Sequence, residues 1–161
     1  MKEIQLTQGK VALVDDEDFD RLSKHSWCAH LSRKVGLWYA ERGYHIEKNK
    51  QFSLGMHREI MGVQKGVDID HRDRNGLNNQ KSNLRICSRT LNQGNATLRK
   101  DSTTGFKGVS YKKENGKFVA RVQFGKKRLS LGYFPTKELA AAAYDKAAIE
   151  LFGEFARVNN I

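Results

Sequence analysis

Residues 67–97, VDIDHRDRNGLNNQKSNLRICSRTLNQGNAT, decide how the first part of this chain is read. An Asp-His pair stands at Asp70 and His71, and asparagines follow at 75, 78, 79 and 83. Asparagine and glycine favour turns, so a solvated loop is the plain reading of most of the stretch. An Asp-His pair ahead of such a loop can also be half of a metal-dependent hydrolytic site.

The pattern around the pair gives it a frame. The residues up to His71 read as a strand, LRICS (84–88) as a second short strand, and Ser88 as the cap of a helix over 89–97 that carries Leu91 and Asn92. The order is strand, long loop, strand, helix. Cleaving a phosphodiester requires a group to deprotonate water and a counter-charge for the phosphate and the leaving alkoxide. A neutral histidine can do the first. A divalent cation with oxygen ligands can do the second. Neighbours on a strand point to opposite faces, so Asp70 can face a metal while His71 faces the phosphate. Asn92, on the following helix, is the candidate second oxygen ligand, and the Asn83 amide can both donate and accept to hold the loop's shape.

Upstream, KVALV (10–14), WCAHL, LWYAER and QFSLGMH alternate as strands, and DDEDFDRLSK (15–24) reads as a short helix with an acidic start. HREIMG (57–62) reads as a helical turn stopped by Gly62. Asn75, Asn78 and Asn79 read as turn chemistry. His57 has two readings, a structural residue near the site or a ligand, while His25, His30 and His45 have no partner pattern.

The 161 residues carry 29 Lys+Arg against 18 Asp+Glu, a net +11, with 29% charged and 39% hydrophobic. That balance suits a soluble globular protein with a polyanionic partner. No apolar run approaches the length of a membrane span and no secretory signal opens the chain, so a cytoplasmic protein of a bacterial host or phage, with no membrane partner, is expected. Cys28 and Cys87 form no CxxC pair and lack histidines at ligand spacing, so no structural zinc is expected.

The charge is uneven: residues 98–161 hold thirteen basic and six acidic residues, and 107–128 alone hold eight basic residues and one acidic, Glu114. After a polar stretch at 97–105, KGVSY, KFVARVQF and KRLSLGYF read as three strands joined by turns. A helix over roughly 137–152 follows Pro135. Alanines let it lie close to the sheet, with Leu139, Ala143, Ile149 and Phe152 expected in the core. Alternation leaves Lys117, Arg121 and Arg128 on the opposite face. A solvated face and a DNA-contacting face both fit that pattern.

Residues 105–159, from GFKGVSY through GKFVARV, LGYF and AAAAYDKAA to the closing asparagine, resemble the Apetala-type (ethylene-response-factor) DNA-binding domain. The resemblance implies a three-stranded sheet in the major groove with the helix behind it. Its contact positions fall on Lys107, Lys112, Lys117, Arg121, Arg128 and Ser130, with Lys127 added as a basic neighbour. Plant members usually carry tryptophan at Ser130 and an acidic residue at Arg121. IDHRDRNGLNNQKSNLRICSRTLNQGNA resembles the His-Asn-His (HNH) nucleases of phage and homing type, and LGMHREIMG resembles the segment that precedes their core. That resemblance implies His71 as general base, Asp70 and Asn92 as ligands of one Mg2+ (or Mn2+), and Asn83 as the loop-organising asparagine. Arg72, Arg74 and Arg85 are candidates for phosphate contact, with solvation as the alternative.

The chain is therefore expected to be α+β. A β-rich nuclease domain over 1–97 would contain a ββα-metal core at about 67–97. A linker at 98–105 and an Apetala-type DNA-binding domain at 106–161 would follow. The expected function is metal-dependent endonuclease action on double-stranded DNA; the alternative is a catalytically inactive DNA-binding regulator. Target sequence, nicking against double-strand cleavage, and monomer against homodimer stay open.

Overall fold

Short alternating runs give the N-terminal unit, Met1–Ile86, a set of small sheets. The structure, a computed structural model, describes residues 1–33, 35–47, 50–98, 101–159 and 161. Strands β1 (Lys2–Gln5) and β2 (Val11–Val14) pair antiparallel with Ile4 opposite Ala12, burying Ile4, Ala12 and Val14 on one side. The sequence reading passes over β1, whose four residues carry a single core side chain, Ile4. Helix α1 (Asp16–Leu22) opens with Asp16, Glu17 and Asp18, which suit the positive end of the helix dipole.

Strands β3 (Cys28–Ser32), β4 (Leu37–Glu47) and β5 (Lys50–Gly55) form an antiparallel meander. Helix α2 (Met56–Met61) follows and stops at Gly62, whose φ of 62° is the left-handed conformation that glycine adopts without a Cβ clash. Strands β6 (Asp68–His71) and β7 (Leu84–Cys87) pair in a two-stranded sheet. Leu22, Trp27, Met56, Ile60 and Leu84 join the β1–β2 side chains in one core.

The second unit, Cys87–Ile161, begins with α3 (Arg89–Gly94). Ser88 caps it, its side chain accepting from the Leu91 N–H at 3.3 Å. The helix ends three residues before the expected 97, with Gly94 its last helical residue and Asn95 its C-cap. Cys87 and Leu91 pack against this unit's core. Of the expected linker, residues 99 and 100 lie outside the described residues, while Thr104 is buried with its hydroxyl donating to the Val109 carbonyl at 3.0 Å.

Strands β8 (Val109–Lys112), β9 (Lys117–Phe124) and β10 (Lys127–Phe134) form an antiparallel sheet with β9 in the middle, and α4 (Lys137–Phe152) packs on it. Thr136 caps α4 through the Leu139 N–H. The stripe that meets Ala120 and Val122 is Ala140, Ala141, Tyr144, Ala148 and Phe152. Leu139 and Ile149 are not core contacts: they are 52% and 57% exposed. Small residues face the sheet because only they let the helix backbone come close, which turns the two larger aliphatics outward. Leu129, on the edge strand β10, is likewise 40% exposed. The closing Asn159 ties the unit's ends: its Oδ1 accepts from the Lys107 N–H at 2.6 Å, and its Nδ2 donates to Asp145 on α4 at 2.8 Å.

Candidate active site and candidate nucleic-acid interface

β6 ends on Asp70 and His71, both 6% exposed. Arg85 on β7 donates through Nε at 2.8 Å and Nη2 at 2.6 Å to one Asp70 oxygen, Oδ2. This buried ion pair fixes the carboxylate. The Arg85 guanidinium, a candidate for phosphate contact, is thus placed on the Asp70 carboxylate. Arg72 is exposed, and its backbone N–H donates to the Asn83 carbonyl at 2.9 Å.

The loop between β6 and β7 is held from inside and from one side. Inside it, Asn83 accepts from the Asp73 N–H at 3.0 Å and donates to Asp73 Oδ1 at 2.9 Å and to the Asn78 carbonyl at 2.8 Å. Burial alone would raise the Asp73 pKa. The bonds it accepts from the Asn75 N–H and the Asn78 and Asn83 amides outweigh that and leave it below the ordinary carboxylate value.

From the side, β2 and the start of α1 grip the loop. The Leu13 N–H donates to the Leu77 carbonyl and the Asn79 N–H to the Leu13 carbonyl, each at 2.8 Å. The Asp15 carboxylate accepts from the Lys81 N–H at 2.7 Å and from the Gln80 side chain at 3.1 Å. Read from sequence as acidic helix dressing, Asp15 is therefore a strut of the loop.

Asn79 is a correction. Asn75 and Asn78 do behave as turn residues, their side chains accepting from the N–H two positions on. Asn79 instead is 1% exposed, and its Oδ1 lies 3.3 Å from His71 Nε2. The doubled asparagine hides this, because nothing local distinguishes the second amide from the first. Tyr39 and His57 also enclose His71, their ring centroids 5.8 and 5.3 Å from its own.

Burial lowers the His71 pKa, with the Asn79 contact, Asp73 and Asp70 opposing, so the imidazole is neutral at neutral pH. Burial, then the charges of His71 and Arg58, bring His57 down to about 3. His57 Nδ1 is buried with no hydrogen-bond partner among the described residues.

Asn92 lies on α3 and so belongs to the C-terminal unit. It and Asp70 each offer a hard oxygen donor, the kind that suits Mg2+ or Mn2+.

On the sheet of the C-terminal unit, residues directly opposite across a pair share a face. Lys112 lies opposite Lys117, Arg121 opposite Ser130, and Gln123 opposite Arg128, all on the face away from α4. Arg121, Gln123 and Arg128 line a hollow of about 640 Å3 shared with Gln93 of α3, Thr97 and Asp101. Lys127 lies opposite Phe124, on the other parity.

Lys107 is turned inward. Its Nζ donates to the Gly94 carbonyl at 2.6 Å and sits 5.9 Å over the Tyr144 ring. Burial brings its pKa down to about 8, with Asp145 pulling the other way.

The AP2 domain family matches residues 104–154. The uncharacterised HNH endonuclease L560 of Acanthamoeba polyphaga mimivirus is 31% identical over 96% of this chain and 77% of its own length. Protein 3.8 of Escherichia phage T7 is 35% identical over 59% of this chain and 78% of its own. The ethylene-responsive transcription factor ERF069 of Arabidopsis thaliana is 36% identical over 59% of this chain and 60% of its own.

Proposed function

The chain belongs to the HNH endonucleases, with an AP2 domain behind the nuclease segment, and from that premise we propose that it is a metal-dependent DNA endonuclease. The carrying observation is His71: neutral, buried, its Nε2 in contact with the Asn79 amide, and next to a buried carboxylate on a strand whose loop is held from inside and from one side. In this role His71 takes the proton from the attacking water, a step that a positioned base accelerates by about 10²–10⁴-fold.

Asp70 and Asn92 would hold one Mg2+ or Mn2+, and the ion would supply positive charge to stabilise the phosphate and the leaving group. Arg85 fixes the Asp70 carboxylate and partly offsets its charge. Asn83 keeps the loop in shape behind His71 rather than touching substrate. The products are 5′-phosphate and 3′-hydroxyl ends.

The C-terminal sheet holds the duplex, with Lys112, Lys117, Arg121, Arg128 and Ser130 toward the DNA. Lys107 acts as a brace on α3, and Lys127 meets the backbone from the sheet edge. Nuclease segment, linker and DNA-binding domain divide near residues 97 and 106 in this reading.

The Arg85–Asp70 pair is also the observation that favours a second reading, a DNA-binding regulator in which the guanidinium holds the carboxylate permanently. Supercoiled plasmid incubated with Mg2+, with and without a chelator, separates the two. The endonuclease nicks or linearises it only while metal is available, and Asp70→Ala loses that action. A wild-type chain that binds the plasmid and leaves it intact at every metal concentration is the regulator.

A further inference from the structure

The face of the C-terminal sheet away from α4 is not open on every side. Helix α3 and the residues after it border it, and between them lies the hollow of about 640 Å3. Arg121, Gln123 and Arg128 line it from the sheet, Gln93 from α3, and Asp101 from the stretch ahead of the matched AP2 segment, which begins at 104. All five belong to one compact unit.

The polar groups of this hollow differ in what they can do. Arg121 and Arg128 can only donate. Among the described residues neither guanidinium has an ion pair or a hydrogen bond. Gln123 is half committed: its Nε2 donates to the Gly125 carbonyl at 2.8 Å, which leaves its amide oxygen to accept. Gln93 can donate and accept. Asp101 is the one carboxylate among the described lining residues, and when ionised it can only accept.

That mixture decides what the hollow fits. Phosphate oxygens only accept, so a hollow made for the DNA backbone would offer donors throughout, and a carboxylate in it would repel the ligand. Base edges carry donors and acceptors side by side. In the major groove cytosine presents its N4 amino group and adenine its N6 amino group, and each can donate to a carboxylate.

We propose that Asp101 is a specificity-determining residue whose carboxylate accepts from the exocyclic amino group of a cytosine or adenine in the major groove that the sheet enters. The inference rests on reading the sheet as the grip on DNA. Sequence preference is then set partly outside the AP2 segment. The same carboxylate works against every duplex that lacks the amino group, because its charge then faces DNA with no bond in return.

The test uses the full-length chain in a chelator, so that DNA is bound and not cut. Wild type and Asp101→Ala each select duplexes from a random pool, and fluorescence anisotropy then reads affinity for single duplexes. The wild-type selection should hold one position to cytosine or adenine. The Asp101→Ala selection should release that position and keep the others. On the duplex that the wild type prefers, the variant should bind about 5- to 100-fold more weakly. On unrelated duplexes it should bind more tightly, since a negative charge has gone. Replacing the chosen base by its amino-free analogue, 2-pyrimidinone for cytosine or purine for adenine, should cost the wild type a similar factor and Asp101→Ala nothing.

Opposite directions on the two kinds of duplex separate base reading from bulk charge. A folded variant that gains affinity on every duplex alike overturns the proposal, and so does one that loses it on every duplex or selects the same pool. The amino-free duplexes need no variant: if no such replacement weakens wild-type binding, the proposal fails. A chain that binds duplexes with Asp101 immaterial loses this proposal and keeps the DNA grip. One that binds no duplex overturns both.

Discussion

At the scale of single residues, the site is built from polar groups placed out of water, and pH exposes the consequence. His57 takes a proton near pH 6.5 when unfolded but only at about pH 3 when folded, because burial first, and then the electrostatics of His71 and Arg58, oppose it. A folded pKa below the unfolded value means that the unfolded chain binds more protons between those limits. Stability from neutral His57 is complete above pH 6.5 and is lost as pH falls toward 3. The slope is at most about 1.4 kcal/mol per pH unit, so roughly 2–3 kcal/mol should go between pH 6.5 and 4.5. Urea unfolding at those two pH values should show this loss in the wild type and a smaller one in His57→Gln; equal losses would remove His57 as the cause.

The residue scale is also where sequence says least about partners. Asp70, His71 and Asn83 stand out because their spacing is that of a known family. Asn79, Asp15 and Arg85 do not, because what they touch lies on a different strand or helix. A buried amide and a turn amide have the same local neighbours in sequence.

At the scale of elements, alternation and capping made the strands other than β1, and the last helix, legible in the sequence. KFVARVQF pairs as its period of two requires, and Ser88 and Thr136 cap the helices that they precede. The side of α4 that faces the sheet was not legible, since hydrophobicity points to Leu139 and Ile149 whereas close packing selects the alanines.

Helix α3 shows the same preference for contact distance over size. A Cβ built on Gly94 would lie 2.6 Å from Phe152 Cγ and 2.8 Å from its Cδ1, inside any real contact. Gly94→Ala should therefore cost about 1–3 kcal/mol through overpacking, although alanine is the better helix former. Thermal unfolding followed by circular dichroism measures it; a stabilised variant would mean that propensity outweighs the clash. Because Lys107 and Arg157 both donate to the Gly94 carbonyl, the change should disturb the seating of the helix that carries Asn92.

At the scale of the whole molecule, charge sets the proposed grip on DNA apart from the proposed cut. Net charge is +11, and the face away from α4 concentrates basic side chains from all three strands of its sheet. Binding that releases counterions weakens linearly in log–log form as salt rises. Arg121→Ala and Lys117→Ala should each lower that slope by about one if the side chain meets a phosphate, with loss of affinity largely independent of sequence. Fluorescence anisotropy on two unrelated duplexes over a salt series reads both effects. An unchanged slope would place the side chain off the backbone.

The same division gives the most direct test of the central claim, that His71 is the base of a metal-dependent nuclease held on DNA by a separate sheet. The measurement is single-turnover cleavage of an end-labelled duplex in Mg2+ by wild type and His71→Ala, with affinity for the same duplex measured alongside. A fall in rate of at least about 10²-fold with unchanged affinity is the predicted result; a His71→Ala chain that cuts as fast as the wild type would contradict it.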